Sequence, residues 1–330
     1  MAKQKGEIKR SKRLSPSSGK KKKHKVINWH EYNEALRQRG SLDVWIEKGL
    51  VEGWVETPEG GRRKLGGQRK YSNLAITTTL QFGVIFHQRL RQTEGFVRSA
   101  FKAMGLLLAV PDFSTLSRRG AKVVVDLPKS PHEKVVLIMD SSGLKVFGEG
   151  EWKVRQHGYS KHRTWRKVHL DVAPDGEIRA VELTGNERAD SQVAPQLIAQ
   201  ETAEIEAIVG DGGYDRRAVY NAGLARGVTQ FRIPPQHNAK IFQHGNCHTP
   251  PHPRDENLRQ IRKTTRKRWK ETIGYHVRSL SENVFFRLKT IFGDRLQARA
   301  FAQQTTETMI KMVVLNKMRL LGMPRTVVMA

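Results

Sequence analysis

The chain has 330 residues, and its 59 lysines and arginines exceed its 32 aspartates and glutamates to give a formal net charge of +27. Because like charges repel one another in a compact protein, a charge of this size points to a nucleic-acid partner. The one cysteine, Cys247, excludes an internal disulfide framework and fits a reducing compartment. No apolar run approaches the roughly 20 residues of a membrane helix, so membrane-spanning classes are excluded as well.

A basic tail, residues 1–27, begins the chain. Eleven lysines and arginines fall within residues 1–25, together with a single acid, Glu7. Such a segment has too little apolar surface to fold, so we expect the tail to be disordered. Clustered lysines favour loose contact with nucleic-acid phosphates; a solubilising tail and a nuclear localisation signal are the alternatives.

Residues 28–130 are predicted to form a helical domain that binds DNA. Its first two helices are expected at 29–38 and 41–48, the second beginning at Ser41, a good helix N-cap. A stretch rich in glycine, proline and basic residues follows at 57–71 and indicates a linker or loop.

Three further helices are expected in this domain, at 72–91, at 93–104 and after Asp112, which is suited to cap the third. Their lengths and the turn between them are typical of a helix-turn-helix unit. The third helix carries Arg118 and Arg119, which we take as DNA-contacting candidates. An ordinary small helical bundle is the alternative.

From residue 131 the pattern changes to short apolar strands that alternate with helices, which predicts a mixed α/β domain over 131–330. Strands are predicted at 135–139, 165–172, 177–183, 205–209 and 229–233. Helices are predicted at 191–200, 216–226, 271–292 and 305–321. Prolines interrupt residues 234–258, which we interpret as an inserted loop.

A basic cluster extends this insertion to about 234–270. Its cations, with no acid between them, are Arg259, Arg262, Lys263, Arg266, Lys267, Arg268 and Lys270. Most of them follow helical spacing, which places them on one face of a helix. A solvated face normally mixes charges of both signs, so the absence of acids favours contact with DNA phosphates.

Two aspartates directly follow apolar runs: Asp140 and Asp211. Since the ends of neighbouring strands lie about 5 Å apart, both carboxylates could meet at one edge of the sheet. The other acids of this region have simpler interpretations. Asp171 is expected to be exposed, Asp175 to lie in a turn and Asp190 to cap the next helix.

Four polar residues share one face of the predicted helix at 271–292, opposite its apolar residues: Tyr275, Arg278, Glu282 and Lys289. An ordinary amphipathic helix with an Arg278–Glu282 ion pair would give the same pattern. Their spacing, Y-x2-R-x3-E-x6-K, resembles the YREK signature of DDE transposases from bacterial insertion sequences.

Both aspartates add to this resemblance. Asp140 in D-S-S-G-L-K and Asp211 in G-D-G-G-Y-D resemble the first and second catalytic aspartates of the family. The resemblance covers nearly the whole chain beyond residue 27.

The resemblance implies a ribonuclease H-like catalytic domain in which Asp140, Asp211 and Glu282 are catalytic and hold two Mg²⁺ ions, for which Mn²⁺ may substitute. With water as nucleophile this site cuts a strand and leaves a 3′-OH; with that 3′-OH as nucleophile it joins the element to target DNA. The resemblance assigns Tyr275, Arg278 and Lys289 to phosphates near the transposon end.

The partners implied are double-stranded DNA, as transposon ends and as target, and a second copy of the chain in a homodimer or larger synaptic complex. The expected location is the bacterial cytoplasm, in association with the nucleoid. A domesticated, catalytically inactive DNA-binding protein and a ribonuclease H-like nuclease without strand transfer are the alternatives.

The segment 237–252 holds four histidines and the cysteine: His237, His244, Cys247, His248 and His252. A zinc site normally uses two regular ligand pairs, and the His248-x3-His252 spacing supplies one of them. We therefore favour a histidine-rich inserted loop over a zinc site.

Overall fold

The computed structural model describes residues 24–46, 49–56, 70–146, 165–244 and 250–329. The strands are β1 (His24–Val26), β2 (Lys134–Lys145), β3 (Trp165–Val172), β4 (Ile178–Gly185), β5 (Glu204–Val209), β6 (Gln230–Arg232) and β7 (Thr326–Val328). The helices are α1 (Trp29–Gln38), α2 (Asn73–Ile85), α3 (Leu90–Ala103), α4 (Phe113–Gly120), α5 (Asp190–Gln200), α6 (Arg217–Ala225), α7 (Pro253–Lys263), α8 (Arg266–Thr272), α9 (Ser279–Phe292) and α10 (Phe301–Leu321). The tail up to residue 23 and the linker at 57–69 lie outside the described residues.

A five-stranded sheet in the order β4-β3-β2-β5-β6 forms the centre of the fold. Strand β3 is antiparallel to β2 and β4, whereas β2, β5 and β6 run parallel to one another. The hairpin between β3 and β4 turns at Gly176, whose φ of 83° suits glycine. Three antiparallel strands extended by two parallel ones are consistent with the ribonuclease H-like fold, and the predicted α/β class is confirmed.

Each face of the sheet is covered by helices, which explains the near-continuous apolar runs of its central strands. On one face, Ile138 and Leu170 pack with Leu288 of α9 and Leu315 of α10. On the other face, residues of β2 and β5 pack against helices α5 and α6. Alternate residues of β2 therefore point into two separate cores.

The N-terminal helices pack against the same core as the first face. Trp54, Phe82 and Phe101 belong to one buried apolar cluster with residues of α10. Helix α2 begins at Ser72, whose Oγ accepts a hydrogen bond from the Ala75 amide, and α4 begins at Asp112 in the same way. The predicted helices at 29–38, 72–91, 93–104 and after Asp112 are thus present, with boundaries shifted by a few residues.

Two N-terminal predictions are wrong. Residues 24–26, assigned to the disordered tail, form β1, which pairs in antiparallel fashion with β7 near the other end of the chain. The described part of the helix expected at 41–48 forms one 3-10 turn at Asp43–Trp45, and Ser41 bonds the side chain of Asp43 instead of capping a helix; residues 47 and 48 lie outside the described residues.

Breaks divide the long helices that we predicted near the C-terminus. Gly274 has a φ of 67°, which ends α8 and leaves Tyr275–Arg278 as a 3-10 turn before α9. Thr265 adopts an extended conformation and caps α8, so α7 and α8 are separate helices and their basic residues do not form one continuous stripe. Among the described residues no helix combines the length and apolar character needed to cross a membrane.

Asp171 contradicts the prediction of an exposed side chain. It is fully buried, and neither carboxylate oxygen has a hydrogen-bond partner. The alternation of side chains along β3 does place Asp171 on the face opposite Val168. Helix α5 covers that face too, so the side chain is buried there. Burial, with the nearby charge of Glu201, raises the pKa of Asp171 to about 8, while Lys129 opposes the shift.

We therefore expect folding stability to fall as the pH rises from about 4 to about 8, because the unfolded chain releases the Asp171 proton first. Asp171→Asn stays neutral, so its melting temperature should exceed that of wild type above pH 8 by several degrees and match it near pH 4. Each kcal/mol moves Tm by about 2–4 °C in domains of this size. The matched control is Asp126→Asn, at an exposed position; identical pH profiles for both variants in thermal denaturation would contradict the assignment.

Candidate active site

The register between β2 and β5 brings the two predicted catalytic aspartates to the same level. The last paired residues are Ile138 in β2 and Val209 in β5, and Asp140 and Asp211 each follow two residues later. Parallel neighbours lie about 4.8 Å apart and point to the same face at equal register. The predicted meeting of Asp140 and Asp211 at one place on the sheet therefore agrees with the pairing.

Asp140 differs from the prediction in one respect, because it lies inside β2 and not after its end. Beyond Asp140 the strand continues to Lys145, paired with β3 and, at Lys145 alone, with Arg295. Strand β5 ends at Val209, so Asp140 lies two residues beyond the point where the parallel pairing stops. Its side chain is 15 % exposed.

Glycines shape the loop that carries Asp211. The Asp211 Oδ1 accepts a hydrogen bond of 2.7 Å from the Gly213 amide, which caps a 3-10 turn at Gly212–Tyr214. A Cβ at Gly213 would lie 2.8 Å from that oxygen, whereas one at Gly212 would meet only the Pro234 carbonyl at 3.4 Å. Residue 213 is therefore glycine because the carboxylate folds back over it.

Helix α9 supplies the third carboxylate, and Arg278 connects it to the first. Arg278 Nη1 lies 3.1 Å from Asp140 Oδ2, and Nη2 lies 2.8 Å from Glu282 Oε1. Since one guanidinium makes both bonds, the two carboxylate oxygens lie within about 8 Å of each other. The Glu282 side chain is 60 % exposed, so it presents its charge to solvent beside Asp140.

The Asp140 carboxylate has two further hydrogen-bond donors. Oδ1 accepts from the Ser141 amide at 2.9 Å, and Oδ2 accepts from the Ser281 hydroxyl at 2.8 Å. Burial raises the pKa of Asp140 in spite of these bonds, and the nearby charge of Asp211 acts in the same direction. The site thus concentrates negative charge that a cation would stabilise.

Tyr275 and Lys289 complete the predicted polar set at either side of Glu282. Tyr275 is half-buried on the 3-10 turn, which contacts both β2 and β5. Burial raises its pKa to about 12, and Asp211 and Asp140 are among the charges that it senses. Lys289 lies two turns along α9 from Glu282 and is half-buried.

Ser281 is a site residue that the sequence interpretation missed. It is fully buried, directly before Glu282, near the apolar side of the helix. A serine at such a position needs a hydrogen-bond partner, and this requirement is the signal that could have identified it.

The remaining predicted DNA-contacting residues fall into two groups. In the N-terminal helices, Arg118 is exposed on α4, whereas the Arg119 guanidinium bonds the Tyr71 carbonyl at 2.8 Å and Asn73 at 2.7 Å. That arginine therefore ties α4 to the start of α2.

The second group lies on α7 and α8. Arg262, Lys263 and Lys267 are exposed and Arg266 is half-buried. Arg259 forms an ion pair with Glu256, one turn earlier on α7. The start of α7 is fixed by a buried ion pair between Arg254 and Asp215, at 2.8 Å.

The histidine-rich segment is described in part. Residues 245–249, with Cys247 and His248, lie outside the described residues. The ring of His252 accepts a hydrogen bond from the Arg254 amide and so caps α7.

Asp190 does not cap α5 as predicted, because Ala189 is the N-cap and Asp190 the first helical residue. Its carboxylate lies 2.7 Å from Lys167 Nζ and 3.3 Å from His169 Nδ1. Burial raises the pKa of Asp190, but the bonds from His169 and Lys167 outweigh it and leave the pKa below its usual range. The side chain thereby joins β3 to α5.

A group of possible metal ligands lies at the other end of β2. His132, Asp175 and Glu177 each bring one ligand atom within 4.8 Å of the others, and the described residues contain no second group that meets this criterion. Arg319 lies 2.9 Å from Asp175, and Arg179 lies 2.7 Å from Glu177. A divalent cation there would compete with two guanidinium groups.

Two family models match the chain, and both are described as a transposase DDE domain. They cover residues 37–149 and 131–317, and the second spans more than half of the chain. The chain therefore belongs to the DDE transposase family. Membership implies a metal-dependent enzyme that cleaves DNA.

The glycine beside Asp211 gives a test of the site. Gly213→Ala would push a methyl group against the Asp211 carboxylate, so we expect Mg²⁺-dependent DNA cleavage to fall about a hundredfold, the cost of a misplacement near 1 Å. Its Tm should change little, because residue 213 is exposed.

Gly212→Ala is the matched control, since its methyl group meets one carbonyl oxygen at a tolerable 3.4 Å. It should keep cleavage within several-fold of wild type. Equal cleavage by the two variants would contradict the role given to Asp211.

Proposed function

We propose that the chain is a transposase of the YREK group that binds the terminal inverted repeats of an insertion sequence, cuts them to give 3′-OH ends and joins these ends to target DNA by two-metal-ion phosphoryl transfer. The observation that carries the proposal is the Arg278 guanidinium, which bridges Asp140 of β2 and Glu282 of α9. The β2–β5 register supports it, because Asp140 and Asp211 each follow the last paired residues by two positions.

The donor set fits divalent cations. Carboxylate oxygens are the hard ligands that Mg²⁺ and Mn²⁺ prefer. The Arg278 guanidinium already bridges Asp140 and Glu282, so a cation there would compete with one guanidinium group, against two at His132, Asp175 and Glu177. When bound, two such ions activate the attacking oxygen and stabilise the leaving 3′ oxygen.

The protein's own residues bind and orient the DNA. Arg278, Tyr275 and Lys289 surround Glu282 and contact phosphates of the transposon end; an arginine suits this task because its guanidinium can bond two phosphate oxygens. Arg278 would be available for this contact where cations, instead of its guanidinium, balanced Asp140 and Glu282. Arg118 on α4 contributes to binding of the repeat by the helical domain.

The basic surface of α7 and α8 extends the DNA path from the active site. Arg262, Lys263 and Lys267 are exposed and project from the segment that follows β6 in the chain. Contacts of this kind strengthen binding without reading sequence. Two ends must be held together for joining, so a homodimer or larger complex is part of the proposal.

Removal of a site carboxylate tests the catalytic assignment. Asp140→Asn, Asp211→Asn and Glu282→Gln should each lower cleavage of a duplex carrying the element's end by at least about a thousandfold, because several kcal/mol of charge stabilisation are lost. His132→Ala, in the other group of possible ligands, should cleave like wild type. Loss in His132→Ala with activity in Glu282→Gln would place the reaction elsewhere.

Joining is measured in the same reaction with a target plasmid and an end that already carries a 3′-OH. Strand-transfer products that need Mg²⁺ and the three carboxylates support a transposase. Cleavage without joining favours the nuclease without strand transfer, and binding without either favours the inactive DNA-binding protein.

The salt dependence of DNA binding tests the basic surface. Lys263→Gln should weaken binding to all sequences alike and lower the slope of log K against log[salt] by about one, the value for one phosphate contact. Lys134→Gln removes the same charge at an exposed position at the start of β2, and its slope should equal that of wild type. If both variants gave the same slope, α7 would not be part of the DNA-binding surface.

A further inference from the structure

Ser281 occupies a position that joins two of the proposed metal ligands. Its side chain is fully buried, its hydroxyl lies 2.8 Å from Asp140 Oδ2, and Glu282 follows it in the chain. We propose that Ser281 is a positioning residue that fixes the Asp140 carboxylate for divalent cations. The inference rests on the proposed function, because it takes Asp140 and Glu282 as metal ligands.

The single hydroxyl proton of Ser281 has two acceptors within reach. One is Asp140 Oδ2, and the other is the Arg278 carbonyl at 2.7 Å, a common local bond of serine in helices. A hydrogen bond to an ionised carboxylate is about twice as strong as one to a neutral carbonyl. The proton therefore goes to Asp140 as long as that group is charged.

The donors around Asp140 divide into fixed and exchangeable ones. The Ser141 amide holds Oδ1 and the Ser281 hydroxyl holds Oδ2, and neither can leave, since one is backbone and the other is buried. Arg278 makes the third bond from a partly exposed side chain. A carboxylate has about four lone-pair sites, so one site on Oδ1 is left for a cation, and one on Oδ2 would be added if Arg278 were displaced.

The hydroxyl also relates the first ligand to the third. Ser281 lies in the first turn of α9, and its bond fastens that turn to β2 next to Glu282. Without the bond, the Asp140 carboxylate could rotate, and the partly exposed Arg278 would be the remaining side-chain link described between the start of α9 and Asp140. Partners of metal ligands in comparable positions change metal affinity by about 10–100-fold when they are removed.

The test measures Mn²⁺ binding to the full-length protein without DNA, by titration calorimetry or by the electron paramagnetic resonance of free Mn²⁺. We expect Ser281→Ala to raise the Mn²⁺ Kd about 10–100-fold. Ser281→Cys, nearly equal in shape but a weak donor, should fall between wild type and alanine. It also keeps the test valid if the alanine variant does not fold.

Ser279→Ala is the matched control. Ser279 lies in the same turn of α9, but its hydroxyl bonds the His276 carbonyl and does not contact a carboxylate. This variant should bind Mn²⁺ like wild type. The comparison separates a general effect of removing a serine from α9 from the specific loss of positioning by Ser281.

Asp140→Asn and Glu282→Gln separate failure of this inference from failure of the proposed function. If both lose Mn²⁺ affinity while Ser281→Ala and Ser281→Cys keep the wild-type Kd, the positioning role is overturned and the metal site stands. If both keep wild-type affinity, the proposed metal site itself is wrong, and the role of Ser281 falls with it.

Discussion

The pairing register of β2 against β5 is the constraint on which the candidate active site depends. It ends at Ile138 and Val209, and Asp140 and Asp211 each follow two residues later, at equal register. A slip by one residue would turn Asp140 toward the opposite core, because neighbouring residues of a strand point to opposite faces. Apolar side chains secure the register: Ile138 packs toward α9 and α10, and Leu137 toward α5 and α6. The burial that stabilises the fold thus also aligns the two aspartates.

Electrostatic interactions are the second determinant of the candidate site, after the strand register. The chain has a net charge of +27, yet Asp140 has acids near it. Burial raises the pKa of Asp140 and the charge of Asp211 adds to the shift, while Glu282 shares the Arg278 guanidinium with Asp140. Arg278 offsets part of this concentration of charge by bridging Asp140 and Glu282. The same guanidinium is suited to bind phosphate. Under the proposed function, the basic surroundings and the acidic centre have complementary tasks: the former would attract DNA, and the latter would hold the cations that act on it.

Much of the fold could be predicted from sequence, because strands and helices with strong apolar periodicity form where the pattern places them. The β3–β4 hairpin and α5 are examples. Helix breaks were harder, since Gly274 ends α8 through a backbone conformation that periodicity does not register. The helical face calculated through Tyr275 was therefore inexact, although Arg278 and Glu282 do meet.

The candidate carboxylates were identified by spacing and resemblance, whereas their supporting residues required the three-dimensional arrangement. Asp171 was assigned to solvent by strand parity, and only the packing of α5 shows that it is buried. The role of Ser281 depends on its hydrogen bond to Asp140, which lies far away in sequence. The burial of Asp171 and the role of Ser281 both depend on contacts between segments that are distant in the chain. A single sequence does not show these contacts.

The most direct measurement of the central claim is the anomalous scattering of Mn²⁺ in crystals of the protein with its DNA end. The account predicts Mn²⁺ peaks among the carboxylates of Asp140, Asp211 and Glu282, with Arg278 turned to a phosphate. Peaks confined to His132, Asp175 and Glu177, with Arg278 still bridging Asp140 and Glu282, would contradict it.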